Sequence, residues 1–276
     1  MTSIDQSPAT PTAHSPETGA PLLELDSVAC EYKLDGGGRF RAVNGVSLQL
    51  GRSEVLGLVG ESGCGKSTLA KLICGLEKLA AGSITFDGNP VRALGLKKRA
   101  KELLGIQMVF QNPYASLNPR RRIRDQLEDA LALNPDGTWS VESLLDAVDL
   151  PSDSAQRYSH SFSGGQRQRI AIARALAAGP KVLVGDEPIA SLDAFLQARI
   201  ARMMRDLAID SGASMIFISH DLSVVRDIAD RVAVMEAGRI VEVGSTEQIW
   251  NDPNHPYTQK LLAAIPKVDG KGFIPG

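Results

Sequence analysis

Hydrophobic and polar positions along the chain predict two kinds of strand. Val46, Leu48 and Leu50 alternate with polar residues, and a shorter apolar run covers residues 22–25. Such runs are typical of half-exposed antiparallel strands. Elsewhere the apolar residues are continuous, as in parallel strands that are buried on both faces. These continuous runs occupy residues 55–59, 182–184 and 215–218. The pattern predicts an α/β protein with a buried parallel sheet and an antiparallel sheet.

Helical patterns predict an insertion in the middle of the chain. Residues 112–164 are interrupted by prolines and show helical periodicity only in short stretches, at 125–133 and 141–148. Longer helices are predicted at 67–76, directly after the first buried strand, and at 167–178. We therefore predict a helical insertion within the α/β core.

Composition and charge exclude several classes of protein. The 276 residues, 43% of them hydrophobic, can bury one sizeable core. Thirty Lys and Arg against thirty-two Asp and Glu give a formal net charge of -2, so no nucleic-acid partner is predicted. No apolar run approaches the roughly 20 residues that cross a bilayer, and the N-terminus lacks the pattern of a secretory signal. Three cysteines without paired spacing favour a reducing cytosol.

A glycine-rich motif follows the first buried strand. Residues 60–67 read GESGCGKS, which fits GxxxxGK[ST] between a strand and a helix. Glycines let backbone N–H groups converge on phosphate oxygens, while Lys66 reaches the β- and γ-phosphates and Ser67 is a ligand of Mg²⁺. The alternative is a turn with a chance Lys–Ser pair. The predicted binding residues are Gly60, Glu61, Ser62, Gly63, Cys64, Gly65, Lys66, Ser67 and Thr68.

Paired acids end the second buried strand. Asp186 and Glu187 follow the run at 182–184, and charges at the end of a buried strand are costly unless a cation or phosphate chemistry uses them. Asp186 is predicted to hold Mg²⁺, directly or through water. Glu187 is predicted to accept a proton from the water that attacks the γ-phosphate. An ordinary strand-to-turn sequence is the alternative.

A second phosphate-binding device precedes the helix at 167–178. Residues 161–166 read SFSGGQ, a turn that presents a hydroxyl and backbone N–H groups at a helix start. One nucleotide needs only one glycine-rich loop, so the second device predicts that each ATP is shared between two chains; a plain helix cap is the alternative. The residues concerned are Ser163, Gly164, Gly165 and Gln166.

Together these motifs resemble the ATPase subunits of ABC transporters. The chain carries, in order, five of their motifs: the glycine-rich loop at 60–67, SFSGGQ at 161–166, VLVGDEP at 182–188, SLD at 191–193 and SHD at 219–221. The resemblance covers roughly residues 22–265. It implies a P-loop NTPase (RecA-like) core with an antiparallel β subdomain and an inserted α-helical subdomain, and it implies ATP hydrolysis.

The resemblance also implies roles for residues that the pattern alone does not single out. Gln111 is implied as the glutamine that senses the transmembrane partner and takes part in catalysis and Mg²⁺ binding. Asp193 is implied as the acid of the D-loop, and His220 as the switch that contacts the γ-phosphate; a lone histidine after a strand is otherwise more often structural. Tyr32 resembles the aromatic residue that stacks on adenine, with Phe40 as the competing position.

A narrower resemblance concerns the oligopeptide and dipeptide importers, specifically the second of their two ATPase types. It rests on three segments: GESGCGKST at 60–68, QMVFQNPYASLNPR at 107–120 and NDPNHPYTQKLL at 251–262. The resemblance implies a second similar ATPase, two transmembrane permeases and an extracytoplasmic substrate-binding protein. It implies a peripheral position on the cytoplasmic face of the inner or plasma membrane. Peptides are the commonest cargo, with nickel, metal–chelator complexes or glutathione-like molecules as alternatives.

The predicted organisation is a disordered tail at 1–21, a nucleotide-binding domain at 22–250 with the helical subdomain at about 112–164, and an extension at 251–276. The tail is rich in Pro, Thr and Ser and lacks Lys and Arg. Many relatives bind an iron–sulfur cluster through cysteines beyond the His-Pro-Tyr-Thr segment, and the chain has no Cys after Cys74, so no cluster is predicted. The rival function is a soluble ABC ATPase that works without a transporter.

Overall fold

The structure is a computed structural model of the chain, and it describes residues 19–34, 36–95, 99–112, 116–190 and 192–265. Ten strands lie within these ranges: β1 (Leu23–Lys33), β2 (Arg39–Leu50), β3 (Val55–Val59), β4 (Ala81–Phe86), β5 (Asn89–Pro90), β6 (Ile106–Val109), β7 (Val182–Asp186), β8 (Ser214–Ile218), β9 (Arg231–Glu236) and β10 (Arg239–Ser245). The same ranges contain eight α-helices: α1 (Lys66–Ile73), α2 (Ile123–Leu131), α3 (Val141–Ala147), α4 (Gly164–Ala177), α5 (Ala194–Asp210), α6 (Leu222–Ile228), α7 (Thr246–Asn251) and α8 (Pro256–Ala263).

A six-stranded sheet forms the centre of the molecule, in the order β10-β9-β3-β8-β7-β6. Its strands are parallel except β10, which pairs with β9 as an antiparallel hairpin. Every residue of β3, β7 and β8 is buried, as the continuous apolar runs predict. In β3, Leu56 and Leu58 belong to one apolar cluster while Val55 and Val59 belong to another, because successive side chains point to opposite faces. The sheet is therefore covered on both faces.

A second sheet is antiparallel over its long strands and has the order β2-β1-β4-β5. Its inward residues, such as Val28 and Leu48, share an apolar cluster with Leu69 and Ile73 of α1 and with Leu58 of β3. The sheet thus covers the helix that follows the glycine-rich loop. This arrangement places the end of β1 beside the loop.

The middle of the chain is helical, as predicted. Helices α2 and α3 and two short 3-10 segments at 152–156 and 159–161 lie between β6 and α4, and within the described residues the strand-type pairing there is one isolated bridge between Arg122 and Tyr158. Both α2 and α3 contact α4, whose buried face also packs on the central sheet. The predicted combination of parallel core, antiparallel sheet and inserted helices is confirmed.

The last described elements fold back on the core. Helix α7 contacts β9 and β10, and Leu261, Leu262 and Ile265 around α8 pack partly buried against the larger apolar cluster. None of the helices in the described residues combines the length and apolar character that crossing a membrane requires. Residues 1–18 of the tail predicted at 1–21 lie outside the described residues, as do Lys97 and Lys98 of the basic run at 97–101.

Candidate nucleotide-binding site

The glycine-rich loop joins the buried end of β3 to the first turn of α1. Three of its glycines adopt backbone conformations that other residues rarely take, with φ of 153° at Gly60, 81° at Gly63 and 111° at Gly65. A Cβ at Gly60 would lie 2.1 Å from the carbonyl oxygen of Met235, and one at Gly65 would lie 2.2 Å from that of Ala42. Both positions therefore require glycine for conformation and for space.

Lys66 is held inside the loop. The residue is only 4% exposed. Its Nζ donates to the carbonyl oxygens of Gly60 at 2.8 Å and Glu61 at 2.9 Å. Cys64 Sγ lies 3.8 Å from the same Nζ. Two carbonyls thus neutralise part of the cost of burying the ammonium group. The loop is closed around a cation that phosphate oxygens can recruit.

The hydroxyl of Ser67 and the carboxylate of Asp186 meet beside the loop. Ser67 Oγ donates to Asp186 Oδ1 at 2.8 Å, joining the start of α1 to the end of β7. Asp186 is 7% exposed, and this burial raises the pKa of its carboxyl, although the hydrogen bond from Ser67 opposes the rise. A buried carboxylate with a neighbouring hydroxyl offers hard oxygen ligands of the kind that Mg²⁺ prefers.

Glu187 lies where three segments meet. Its Oε2 is 3.4 Å from Gln111 Nε2 and 3.4 Å from His220 Nδ1, so the ends of the β6, β7 and β8 regions contribute one side chain each. The backbone of Glu187 is left-handed, with φ of 46°, and its N–H donates to the carbonyl of Ile218 at 3.1 Å. This strained turn aims the carboxylate between the other two side chains. The structure therefore brings Gln111, Glu187 and His220 together.

The four residues 163–166, here called the signature turn, begin α4 and contact one another. Ser163 caps the helix by accepting from the N–H of Gln166 at 3.3 Å, and Gln166 Oε1 accepts from the N–H of Ser163 at 3.0 Å. Ser163 and Gly164 are exposed, and nothing lies within 4 Å of where a Cβ of Gly164 would be. Phe162, just before the turn, is buried beneath the guanidinium of Arg157 at 4.4 Å.

Asp193 also acts as a helix cap. Its Oδ1 accepts from the N–H of Leu196 at 3.0 Å, which fixes the start of α5. The structure thus places Asp193 and the signature turn at helix starts of their own, whereas Lys66, Ser67, Asp186 and Glu187 lie around the glycine-rich loop. Ser163 and Asp193 bond to the first turns of α4 and α5, whereas Lys66 and Ser67 bond to the loop and to the end of β7.

Tyr32 and Phe40 are opposite each other on β1 and β2. Tyr32 is partly buried against the apolar cluster, and its hydroxyl lies 3.5 Å from Thr68 Oγ1 in α1. Phe40 is 51% exposed. Tyr32 therefore lies next to the loop through Thr68, while Phe40 offers the freer ring face, and the stacking role stays a prediction for Tyr32.

Comparison with known proteins assigns the chain. The family model described as ABC transporter matches residues 43–190, and the model described as oligopeptide/dipeptide transporter, C-terminal region, matches residues 241–273. The chain belongs to the ABC transporter family. Among its relatives is the dipeptide transport ATP-binding protein DppF of Haemophilus influenzae, 47% identical over 83% of this chain and 71% of that protein. The oligopeptide transport ATP-binding protein OppF of Streptococcus mutans is 42% identical over 90% of this chain and 82% of that protein.

Solved ABC cassettes share the fold of this ABC ATPase. The cassette MJ0796, in a dimeric post-hydrolysis state with ADP and phosphate, has a TM-score of 0.70 and 27% identity, covering 81% of this chain and 98% of that one. The protein cbiO1 of Clostridium perfringens, part of the ABC transporter complex cbiONQ, has a TM-score of 0.67 and 26% identity, covering 84% and 91%. The predicted P-loop NTPase fold and ATP binding are thereby confirmed.

The C-terminal part of this ABC ATPase contacts the loop in ways that the sequence did not predict. The hydroxyl of Tyr257, in α8, accepts from the N–H of Glu61 at 2.9 Å. Gly238, in the turn between β9 and β10, donates its N–H to the carbonyl of Cys64 at 2.9 Å. Tyr257 lies within the NDPNHPYTQKLL segment that carries the family resemblance, but the segment does not indicate that its partner is Glu61.

Proposed function

We propose that this ABC ATPase is the motor subunit of an importer for peptides or similar small solutes, and that it uses the residues around the glycine-rich loop to hydrolyse ATP. The observation that carries the proposal is the convergence of Gln111, Glu187 and His220 beside the Ser67–Asp186 pair. A carboxylate between an amide and an imidazole, next to a loop built for phosphate, suits activation of water rather than covalent chemistry.

In this proposal Mg²⁺ is held by Ser67 and Asp186, with Gln111 near it. No group of three or more His, Cys, Asp and Glu residues occurs as a metal cluster in the described part of the chain. Mg²⁺ fits this composition because it is commonly bound through one or two carboxylates together with the phosphates of the substrate. The cation supplies charge for the β- and γ-phosphate oxygens.

The proposed catalytic roles are consistent with the positions of the side chains. Lys66 exchanges its two loop carbonyls for phosphate oxygens, because charge-assisted bonds to phosphate are stronger than those to neutral carbonyls. Glu187 accepts a proton from the attacking water. His220 contacts the γ-phosphate, and Gln111 links the water and the cation to the segment that faces the permease.

The signature turn completes a second chain's nucleotide in this proposal. Ser163 and Gly164 are exposed at the start of α4, where a partner can reach them, and the solved cassettes related to this chain include dimers. The proposed assembly contains a second similar ATPase, two permeases and an extracytoplasmic binding protein, with this chain on the cytoplasmic face of the membrane. Peptide cargo is proposed because the relatives DppF and OppF are named for dipeptide and oligopeptide transport.

Residues 120–124 read RRRIR, a basic stretch that directly follows the Gln111 segment proposed to face the permease. Arg121 pairs with Asp129, while Arg124 pairs with Glu142 at 2.6 Å and Glu128 at 3.5 Å. These arginines therefore stabilise the helical subdomain internally. A docking role for the stretch rests on its position in sequence after the Gln111 segment and on Arg120, which is exposed.

Glu187→Gln tests the catalytic proposal. The amide keeps the size of the side chain but cannot take the proton, so we expect ATP to bind with unchanged affinity and turnover to fall by about 10²- to 10⁴-fold. Turnover is measured as phosphate release by the purified pair of ATPases with their permeases. Glu102→Gln, at an exposed carboxylate in the 3-10 turn before β6, is the matched control and should leave turnover unchanged. Normal turnover by Glu187→Gln would remove Glu187 from the mechanism.

The same variant identifies the assembly. A tagged Glu187→Gln chain is solubilised from native membranes with ATP and Mg²⁺, which should trap the closed pair, and its companions are identified by mass spectrometry. Recovery of two permeases, a second ATPase and a peptide-binding protein supports the importer. Recovery of ribosomal or DNA-repair proteins without membrane components would favour the soluble ATPase.

A further inference from the structure

Tyr257 connects the C-terminal extension directly to the phosphate-binding loop. Its ring is 8% exposed, and its hydroxyl oxygen accepts the N–H of Glu61 over a separation of 196 residues along the chain. Burial raises the pKa of this phenol, so the group stays a neutral hydroxyl near pH 7. The contact is one hydrogen bond to the backbone of the loop, at 2.9 Å.

The peptide group that Tyr257 contacts is also the one that Lys66 contacts. The carbonyl oxygen of Gly60 accepts from Lys66 Nζ at 2.8 Å, and the N–H of the same peptide unit, that of Glu61, donates to Tyr257. The peptide plane is therefore fixed at both ends. When Lys66 turns toward phosphate, the Tyr257 hydroxyl remains as the side-chain partner of this plane, and it keeps the first turn of the loop in place.

A separate set of bonds fixes Tyr257 itself. Glu242 of β10, 7% exposed, accepts the N–H groups of Asn254 at 2.8 Å and His255 at 3.1 Å. His255 Nδ1 then accepts the N–H of Tyr257 at 3.2 Å and caps α8. Burial alone would raise the pKa of Glu242, but hydrogen bonding reverses the sign and the pKa is lowered, which keeps the acceptor ionised. The segment 254–257 is thus anchored to the central sheet.

We propose that Tyr257 is a positioning residue for ATP binding: its hydroxyl holds the peptide unit between Gly60 and Glu61, so the extension preorganises the loop for phosphate. A core aromatic residue is the simpler alternative, since Tyr257 also belongs to the larger apolar cluster. A phenylalanine would satisfy that packing role equally well. The hydroxyl is therefore what separates the two interpretations, because without it the N–H of Glu61 loses its acceptor.

Tyr257→Phe in the full chain tests the inference. Affinity for MgATP is measured by titration with a fluorescent ATP analogue, and KM and kcat are measured in the assembled transporter. We expect affinity to fall and KM to rise by about fivefold to tenfold, the effect of one lost hydrogen bond, with kcat changed less than about twofold. Hydrogen exchange of the Glu61 amide should be faster in the variant than in the wild-type chain.

Leu262→Ala is the matched control, because Leu262 packs α8 against the core and has no hydroxyl that could bond to the loop. It should lower the melting temperature while leaving ATP affinity and exchange at Glu61 unchanged. His255→Ala releases the cap of α8 but keeps the Tyr257 hydroxyl. It should weaken ATP binding relative to the wild-type chain, but less than Tyr257→Phe does, and it tests the same contact if Tyr257→Phe fails to fold.

The outcomes separate this inference from the proposed function on which it rests. Lys66→Ala should abolish ATP binding if the loop holds phosphate at all; retained binding would overturn the proposed site. If Lys66→Ala abolishes binding but Tyr257→Phe binds ATP as the wild type does, the site stands and the positioning role is overturned. An equal loss of affinity in Leu262→Ala would also overturn it, since loosened packing would then explain the effect.

Discussion

The glycine-rich loop and the signature turn each lead into a helix with glycines and a hydroxyl side chain, but their surroundings differ. The loop is anchored at its base, although residues 61–63 are exposed: Lys66 is buried, Ser67 bonds to Asp186, and Tyr257 of α8 accepts the N–H of Glu61. The signature turn is exposed, and its polar groups satisfy one another through Ser163 and Gln166. In the proposed function, the loop forms one half of a nucleotide site within this chain, and the signature turn forms half of a partner's site.

This difference explains why each half tolerates change differently. An anchored loop depends on the contacts at its base, and a methyl group added at Gly60 or Gly65 must displace backbone atoms. An exposed turn can accept new side chains without loss of folding, and in the proposed function the consequence appears only when a second chain brings its ATP. Substitution of Gly65 in the loop and of Gly164 in the signature turn can separate the effect on folding from the effect on the assembled pair.

Gly65→Ala should have the largest effect on the chain alone. The new Cβ would stand 2.2 Å from the carbonyl oxygen of Ala42, and the residue would have to keep a φ of 111°. We expect the free energy of unfolding to fall by about 2–4 kcal/mol and ATP binding by the single chain to be lost. Chemical denaturation and nucleotide titration measure the two quantities. A variant with wild-type stability would show that the loop has room that the structure does not contain.

Gly164→Asp should separate folding from function in the signature turn. Nothing lies within 4 Å of the position of the new Cβ, and an acidic residue in the first turn of α4 interacts favourably with the helix dipole. Stability and ATP binding by the single chain should therefore be unchanged within about 0.5 kcal/mol. ATPase activity of the assembled pair should fall at least tenfold, because the carboxylate would face the phosphates of the partner's ATP.

Gly164→Asn is the uncharged control for this prediction. It has nearly the same shape without the negative charge, so it should retain more ATPase activity than Gly164→Asp. Equal activity in the two variants would show that size rather than charge decides the effect. Full activity in both would place the signature turn outside the nucleotide site and remove the basis for sharing ATP between two chains.

The sequence predicted the parts of this architecture that depend on local pattern. Continuous apolar runs located β3, β7 and β8, and the glycine spacing located the loop, because each is decided by neighbouring residues. Contacts between segments far apart in the chain could not be predicted from the sequence pattern. The bond between Tyr257 and Glu61 joins residues 196 positions apart, and the left-handed backbone of Glu187 depends on how the turn after β7 packs.

The part of the chain after the insertion contains elements that were not predicted from the sequence. Helix α5, with 17 residues, and the hairpin of β9 and β10 were not identified from the pattern, although both are apolar on their inner faces. The pattern of α5 is mixed, whereas residues 232–235 of β9 form a continuous apolar run, the same signal that located β3 and β8. The roles of Gln111, Asp193 and His220 came from family resemblance, because no local rule joins three residues at the ends of different elements.

Ser163→Ala gives the smallest expected effect and the sharpest distinction between a helix cap and a nucleotide ligand. Ser163 and Ser140 both cap a helix through the same reciprocal pair of bonds, Ser163 with Gln166 and Ser140 with Ser143. Replacing either serine by alanine should lower the free energy of unfolding by about 1 kcal/mol. Only Ser163→Ala should also lower the ATPase activity of the assembled pair, by several-fold, since its hydroxyl alone is proposed to meet the partner's ATP. If both variants lose stability equally and neither loses activity, Ser163 is a cap and the backbone amides of the turn carry the contact.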